Sequence, residues 1–209
     1  MNQKLNRIIL LTIVLMVLTA TPTVSAGGGG GCGTDVTVIN KSGQIAGVSP
    51  TASGEIHAFL WRHGSKTDLG TLGGPCSLAM DINEGGQVVG VSATASGQLH
   101  AFLWKKGEMI DLGTLGGASS SALAINEHGL IVGQSETALG ELHAFLWKKG
   151  EMIDLGTLGG GTTSIAMDIN ERGHVVGVAH TATGEPHSFL WKKGQMMDLT
   201  TLTAAPDDD

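Results

Sequence analysis

Apolar residues in this chain come in short runs, and the runs recur. Between positions 79 and 115 they are AMDI, QVVGVS, HAFLW and MIDLGTL, interrupted by polar or glycine-containing segments at 83–86, 94–97 and 105–107 and closed by Gly116-Gly117. Runs of this length, rich in Val, Ile, Phe and Trp and bounded by Gly and Asn, read as β-strands. No run is long enough for an amphipathic helix of ordinary length. The pattern therefore predicts an all-β protein. QVVGVS and HAFLW are apolar at odd and even positions alike, as expected of strands covered on both faces.

The same four runs occur four times. The histidines that open HAFLW, HAFLW, HAFLW and HSFLW are His57, His100, His143 and His187, spaced 43, 43 and 44 residues apart, and Ile-Asn pairs ending at Asn40, Asn83, Asn126 and Asn170 keep the same period. A repeat of this kind organises the whole chain. Four strands in about 43 residues is the size of a β-propeller blade. Boundaries fall at 35–74, 75–117, 118–160 and 161–203. Because the strand count is whole, a four-bladed β-propeller closed by direct packing of the first blade on the fourth is expected. An open β-solenoid and half of a dimeric eight-bladed ring compete with it. Divergent end repeats suit an open stack, and here Val36, Arg62-His63 and DLTTLTA from Asp198 depart from the common pattern.

His-Ala-Phe-Leu-Trp, then Asp-Leu-Gly-Thr-Leu-Gly-Gly, then Ile-Asn-x-x-Gly, together resemble the bacterial HAF extracellular repeat family, named for its His-Ala-Phe motif. The resemblance runs from Asp35 to Thr203. It implies an exported repeat protein and brings no catalytic residues with it. Ser188 in place of the motif alanine and the missing Gly-Gly of the last copy depart from the pattern.

All 4 Phe and all 4 Trp lie in this motif, and Tyr is absent. Residues i, i+2 and i+4 of a strand share a face. His57, Phe59 and Trp61 therefore form one surface, as do His100, Phe102 and Trp104, His143, Phe145 and Trp147, and His187, Phe189 and Trp191. With so little other aromatic volume, these stripes are expected to be the core between repeats. The histidines are expected to be buried and hydrogen-bonded inside their own blades, to a nearby aspartate or to a backbone carbonyl, with Asp68, Asp111, Asp154 and Asp198 as the aspartates of the repeat motif. Four symmetry-related imidazoles converging on an axis would be the arrangement for a metal, but ligands must come within about 2.0–2.2 Å of the ion. No metal site is therefore expected, and no cofactor.

Other chemistry is weaker. There is no phosphate-binding glycine loop, and Ser92 and Ser135 lie outside any nucleophile elbow. Glu84, Glu127 and Glu171 lack the alternating spacing of a calcium loop. Four near-identical units repeat one environment, whereas an active site needs unlike groups in unlike surroundings. The chain therefore reads as a non-enzymatic scaffold. The alternative is a secreted polysaccharide lyase or hydrolase with His100 and Asp111 at the axis. Specificity is expected at the most variable repeat positions, 75–78, 118–121 and 161–164.

The ends add a compartment. Residues 1–26 have a cationic start (Lys4, Arg7), an apolar run from Ile8 to Ala20 and a small-residue ending, the layout of a cleaved secretory signal peptide. The apolar run is too short to span a bilayer, which takes about 20 residues. No integral span is expected after cleavage, and the location is secreted or envelope-associated. Removing the leader takes the net charge from −7 to −9. That acidity disfavours nucleic acid and leaves extracellular protein or carbohydrate as partners. Residues 27–34 form a glycine-rich tether and 204–209 an acidic tail. Cys32 and Cys76, the 2 cysteines, are a candidate disulfide in an oxidising compartment.

Overall fold

The computed structural model describes residues 37–201. The expected leader, the glycine tract with Cys32, and the acidic tail lie outside the described residues. Within them the chain forms strands and turns without a helix, and no helix is long and apolar enough to cross a membrane.

The strands are β1 (Thr37–Ile39), β2 (Ile45–Pro50), β3 (Ile56–Arg62), β4 (Ser65–Asp68), β5 (Gly73–Ile82), β6 (Val88–Thr94), β7 (Leu99–Lys105), β8 (Glu108–Asp111), β9 (Gly116–Ile125), β10 (Ile131–Thr137), β11 (Leu142–Lys148), β12 (Glu151–Asp154), β13 (Ser164–Ile169), β14 (Val175–His180), β15 (Pro186–Lys192) and β16 (Gln195–Asp198). Each consecutive set of four is an antiparallel meander. The third and fourth strands are joined by two-residue turns such as Lys106-Gly107, both at positive φ (53° and 88°), the conformation of a type I′ hairpin. First strands of successive sheets pack on one another, β1 on β5, β5 on β9 and β9 on β13, while fourth strands pack on their own third strands. The first strand of each sheet is thus central and the fourth peripheral, the arrangement of propeller blades.

Each sheet has two unlike faces, and the joints use them in one direction. In the first joint Ala46, Ala58 and Leu60 of the first sheet meet Val88, Phe102 and Trp104 of the second. In the second, Val89, Ala101 and Leu103 meet Ile131 and Phe145 of the third. In the third, Val132, Ala144 and Leu146 meet Val175 and Phe189 of the fourth. The ring faces of the second, third and fourth blades are therefore turned toward the preceding blade. Phe102, Phe145 and Phe189 are fully buried. Each lies across from a glycine of the second strand, Gly90, Gly133 or Gly177. A Cβ at Gly133 would sit 2.0 Å from the Ser121 carbonyl oxygen, so the bulged first strand approaches too closely for any side chain there.

Three expectations need correction. The boundaries at 74/75 and 117/118 fall inside β5 and β9, because Gly74 and Gly117 are strand residues. A Cβ at Gly74 would lie 2.6 Å from the Thr94 carbonyl oxygen, so this glycine serves close strand approach rather than a turn. MIDLGTL stops being a strand at Asp111. Closure also fails: no strand of the first sheet packs substantially on the fourth, and Ile39 (57%), Trp61 (39%) and Val176 (41%) stay exposed at the two ends.

The third repeat carries one local misfit. Leu78 and Val91, paired and buried in the second sheet, are replaced by Ser121 and Gln134, paired and buried in the third. Neither the Ser121 hydroxyl nor the Gln134 amide has a hydrogen-bond partner, and leaving such groups buried costs about 1–3 kcal/mol. Ser121→Leu with Gln134→Val is expected to raise the urea unfolding free energy by about 1–3 kcal/mol. Conversely, Phe145→Ala is expected to cost about 3–5 kcal/mol, and Phe59→Ala, at the open end, distinctly less in the same titration.

Candidate functional site

His57, His100, His143 and His187 stand on the third strand of each sheet and Asp68, Asp111, Asp154 and Asp198 on the fourth. The two-residue hairpin brings each pair together. His57 Nδ1 lies 3.0 Å from Asp68, His100 2.8 Å from Asp111, His143 2.8 Å from Asp154 and His187 2.7 Å from Asp198. The Nδ1–H donates to the carboxylate. The other carboxylate function closes the exit turn: backbone N–H groups of Gly70, Gly113, Gly156 and Thr200 donate to the same aspartates at 2.7–2.8 Å. The His side chains are largely covered, at 14–25% exposure, while Asp68, Asp111 and Asp154 are open at 42–55%.

Each dyad therefore sits within its own blade, on the periphery. This removes the axis from the enzyme alternative, since His100 and Asp111 do not face it. Around Nε2 the second neighbour is acidic in three blades: Glu55 at 3.9 Å, Glu141 at 3.6 Å and Glu185 at 3.9 Å. Among the described residues a hydroxyl joins the fourth dyad alone: Thr200 Oγ1 donates to Asp198 at 2.6 Å and lies 3.1 Å from His187 Nδ1. Among the described residues, no three His, Cys, Asp or Glu side chains lie close enough to hold a metal.

Electrostatics follow the hydrogen bonds. At Asp68 burial acts to raise the carboxyl pKa, but the Gly70 N–H, the His57 hydrogen bond and the charges of His57 and Lys66 outweigh it, and the net shift is downward. The Thr200 hydroxyl, then His187, hold Asp198 down at about 2, against 3.8 for a free aspartate.

Serines that sequence reasoning weighed only as nucleophiles, or passed over, are latches between blades. Ser77 Oγ accepts from the Ala58 N–H at 2.9 Å and donates to the Gly70 carbonyl at 2.6 Å. Ser120 and Ser164 repeat this on Ala101 and Gly113, and on Ala144 and Gly156. Ser92 and Ser135, fully buried, accept from the N–H groups of Leu72 and Leu115. Segments 75–78 and 118–121, expected to carry specificity, are thus strand residues tied into the joints: Cys76, Ser77 and Leu78 are buried. The candidate disulfide is described only at Cys76, since Cys32 lies outside the described residues.

A polar ladder runs along the repeats as well. The side-chain amides of Asn40, Asn83 and Asn126 donate to the backbone carbonyls of Asn83, Asn126 and Asn170 at 3.0–3.1 Å. Glu84 accepts from the Lys41 N–H, Glu127 from the Glu84 N–H and Glu171 from the Glu127 N–H. These acids cap the preceding repeat's turn. The equal spacing of Asn and Glu was visible in the sequence, but the direction in which each side chain reaches was not.

The solvent-facing feature that recurs is the hairpin after each second strand, closed by Gly54, Gly97, Gly140 and Gly184 N–H groups donating to Thr51, Thr94, Thr137 and Thr181 carbonyls. Its tips are exposed, including Leu139 at 86%.

No protein-family model and no curated protein matches the chain. Among solved structures it is similar to TolB from Acinetobacter baumannii, at 14% identity and TM-score 0.53 over 75% of this chain and 40% of that one. It is also similar to the β-propeller domain of the Trilobed protease from Pyrococcus furiosus, at 15% identity and TM-score 0.54 over 83% of this chain and 56% of that one. At this identity the likeness shows the fold, a β-propeller type. The chain spans less than two thirds of either structure's length.

An aspartate with a lowered pKa in the folded state stabilises above its unfolded value and loses that contribution as pH falls through the folded value. Wild-type protein is therefore expected to lose stability relative to Asp198→Asn as pH falls from 3.8 through about 2, the gap in urea midpoints between the two closing over that window.

Proposed function

We propose that this chain is an exported, non-enzymatic scaffold that presents a repeated rim of hairpins to extracellular protein or carbohydrate. The observation carrying this reading is where the ionisable side chains go. Each His–Asp dyad closes a turn in its own blade, and each of Glu84, Glu127 and Glu171 caps a neighbouring turn. The four environments are similar, differing in Gln98 for glutamate at the second dyad and in the Thr200 hydroxyl at the fourth, where it donates to Asp198 within the same turn. Such sameness suits a scaffold better than an active site, which needs unlike groups in unlike surroundings. Equal, regularly spaced tips suit weak binding to a repeating partner, because linked sites raise avidity without any one contact being strong. Export is supported by the leader at residues 1–26, and the HAF-type resemblance points the same way.

The test pairs His100→Ala with Asp111→Ala. The scaffold reading expects a loss of stability of about 2 kcal/mol, that of a charged hydrogen bond. It expects no turnover of polysaccharide or peptide substrates by either protein, and glycan- or protein-array binding that survives in the folded variant. Turnover by the wild-type chain that vanishes in a variant melting like wild type would establish the enzyme instead.

A further inference from the structure

We infer that the two end faces of this chain bind each other between copies, the fourth blade of one molecule receiving the first blade of a second. The three internal joints define what such a joint requires. The donor side is a face of small and branched residues, Ala58 and Leu60, Ala101 and Leu103, or Ala144 and Leu146, and the acceptor side is the ring face of the next blade. Both halves recur at the two ends of the described residues, uncovered by any of them. The first blade shows Ile39 at 57% and Trp61 at 39% exposure, with Phe59 half-buried. Their counterparts Ile82, Trp104 and Phe102 are 7%, 5% and 0% exposed. The fourth blade shows Val176 at 41%, where Ala46, Val89 and Val132 are 0%, together with half-buried Leu190 and exposed Ser188.

The polar ladder is likewise open at the matching ends. The amide of Asn170 is the next donor in the series Asn40, Asn83, Asn126, and it is exposed, with no further carbonyl of the ladder among the described residues. Ser188 keeps a small side chain where Ala58, Ala101 and Ala144 allow close approach. Lys66, where other blades place Met109, Met152 and Met196, lies with its ammonium 4.7 Å from the Phe59 ring centre and keeps an apolar stem over that ring. Lys41 stands where the other repeats have the capping Glu84, Glu127 and Glu171. The joint between copies therefore lacks one hydrogen-bonded cap and is weaker than the internal ones. A second copy is the occupant that fits because the two faces differ and complement each other, as in a head-to-tail interface. Two such joints close a pair of chains into a ring of eight blades.

Sedimentation of the purified chain across concentration tests this with two charge variants, Trp61→Glu and Val176→Glu, both at positions open in the single chain, so their melting curves should match wild type at low concentration. Wild type is expected to form a reversible dimer. Each variant alone damages both joints of its dimer and should dissociate on the order of 1,000-fold more readily, the effect of losing one interface hot spot of about 30-fold in each joint. Mixing the two should restore dimers, since one intact joint then forms between the good fourth blade of one variant and the good first blade of the other. Three results would overturn the inference: a wild-type monomer at all concentrations, as when a segment of the same chain covers these faces; dimers broken by Trp61→Glu but untouched by Val176→Glu, the sign of like face on like face; or no rescue on mixing.

Discussion

Everything in this structure depends on burying one blade's ring face against the small-residue face of the blade before it. A single four-stranded sheet of some 30 residues cannot cover its own Phe and Trp, and apolar surface left in water costs about 25 cal/mol per Å². The chain answers this by repetition. Phe102, Phe145 and Phe189 are each buried against the blade before them, and Phe59, in the first described blade, is only half-buried. Stability in such arrays is a sum of unit and neighbour terms, and here the neighbour term holds nearly all of the large apolar side chains.

The polar groups serve the same joints. Ser77, Ser120 and Ser164 each satisfy a backbone N–H and a carbonyl of the previous blade, and the Asn and Glu ladders tie successive turns. Buried backbone groups need such partners, and each joint supplies them from a residue one period away. The histidines serve the joints too: they hold Asp68, Asp111 and Asp154, which hold the turn that leads into the next blade's first strand.

Much of this was legible in the sequence. The period, the four runs per unit and the H-x-F-x-W stripe specify strands, blades and shared faces, because strand alternation is a property of the backbone alone. That each histidine would be tied down within its own blade was also readable, but not by which group: the hairpin sets Asp68 opposite Phe59, and His57 reaches it on the diagonal. Direction was not. Nothing in HAFLW says whether the rings turn to the preceding or the following blade, since both neighbours have the same sequence. The roles of Gly74, Gly90 and Gly133 were hidden because glycine marks turns and close approaches alike. Ser120 and Gln134 look equally polar in the sequence, yet one is a satisfied latch and the other a buried amide without a partner. Ring closure failed as an expectation because counting strands says nothing of the angle between sheets.

A double-mutant cycle tests the direction of the joint most directly, with Leu103→Ala crossed against Phe145→Ala and, separately, against Phe59→Ala. Leu103 and Phe145 share the core of the second joint, so their unfolding free energies should be non-additive by about 1 kcal/mol or more, while Leu103 and Phe59 should add within about 0.5 kcal/mol. Additivity between Leu103 and Phe145, with coupling to Phe59 instead, would contradict the account.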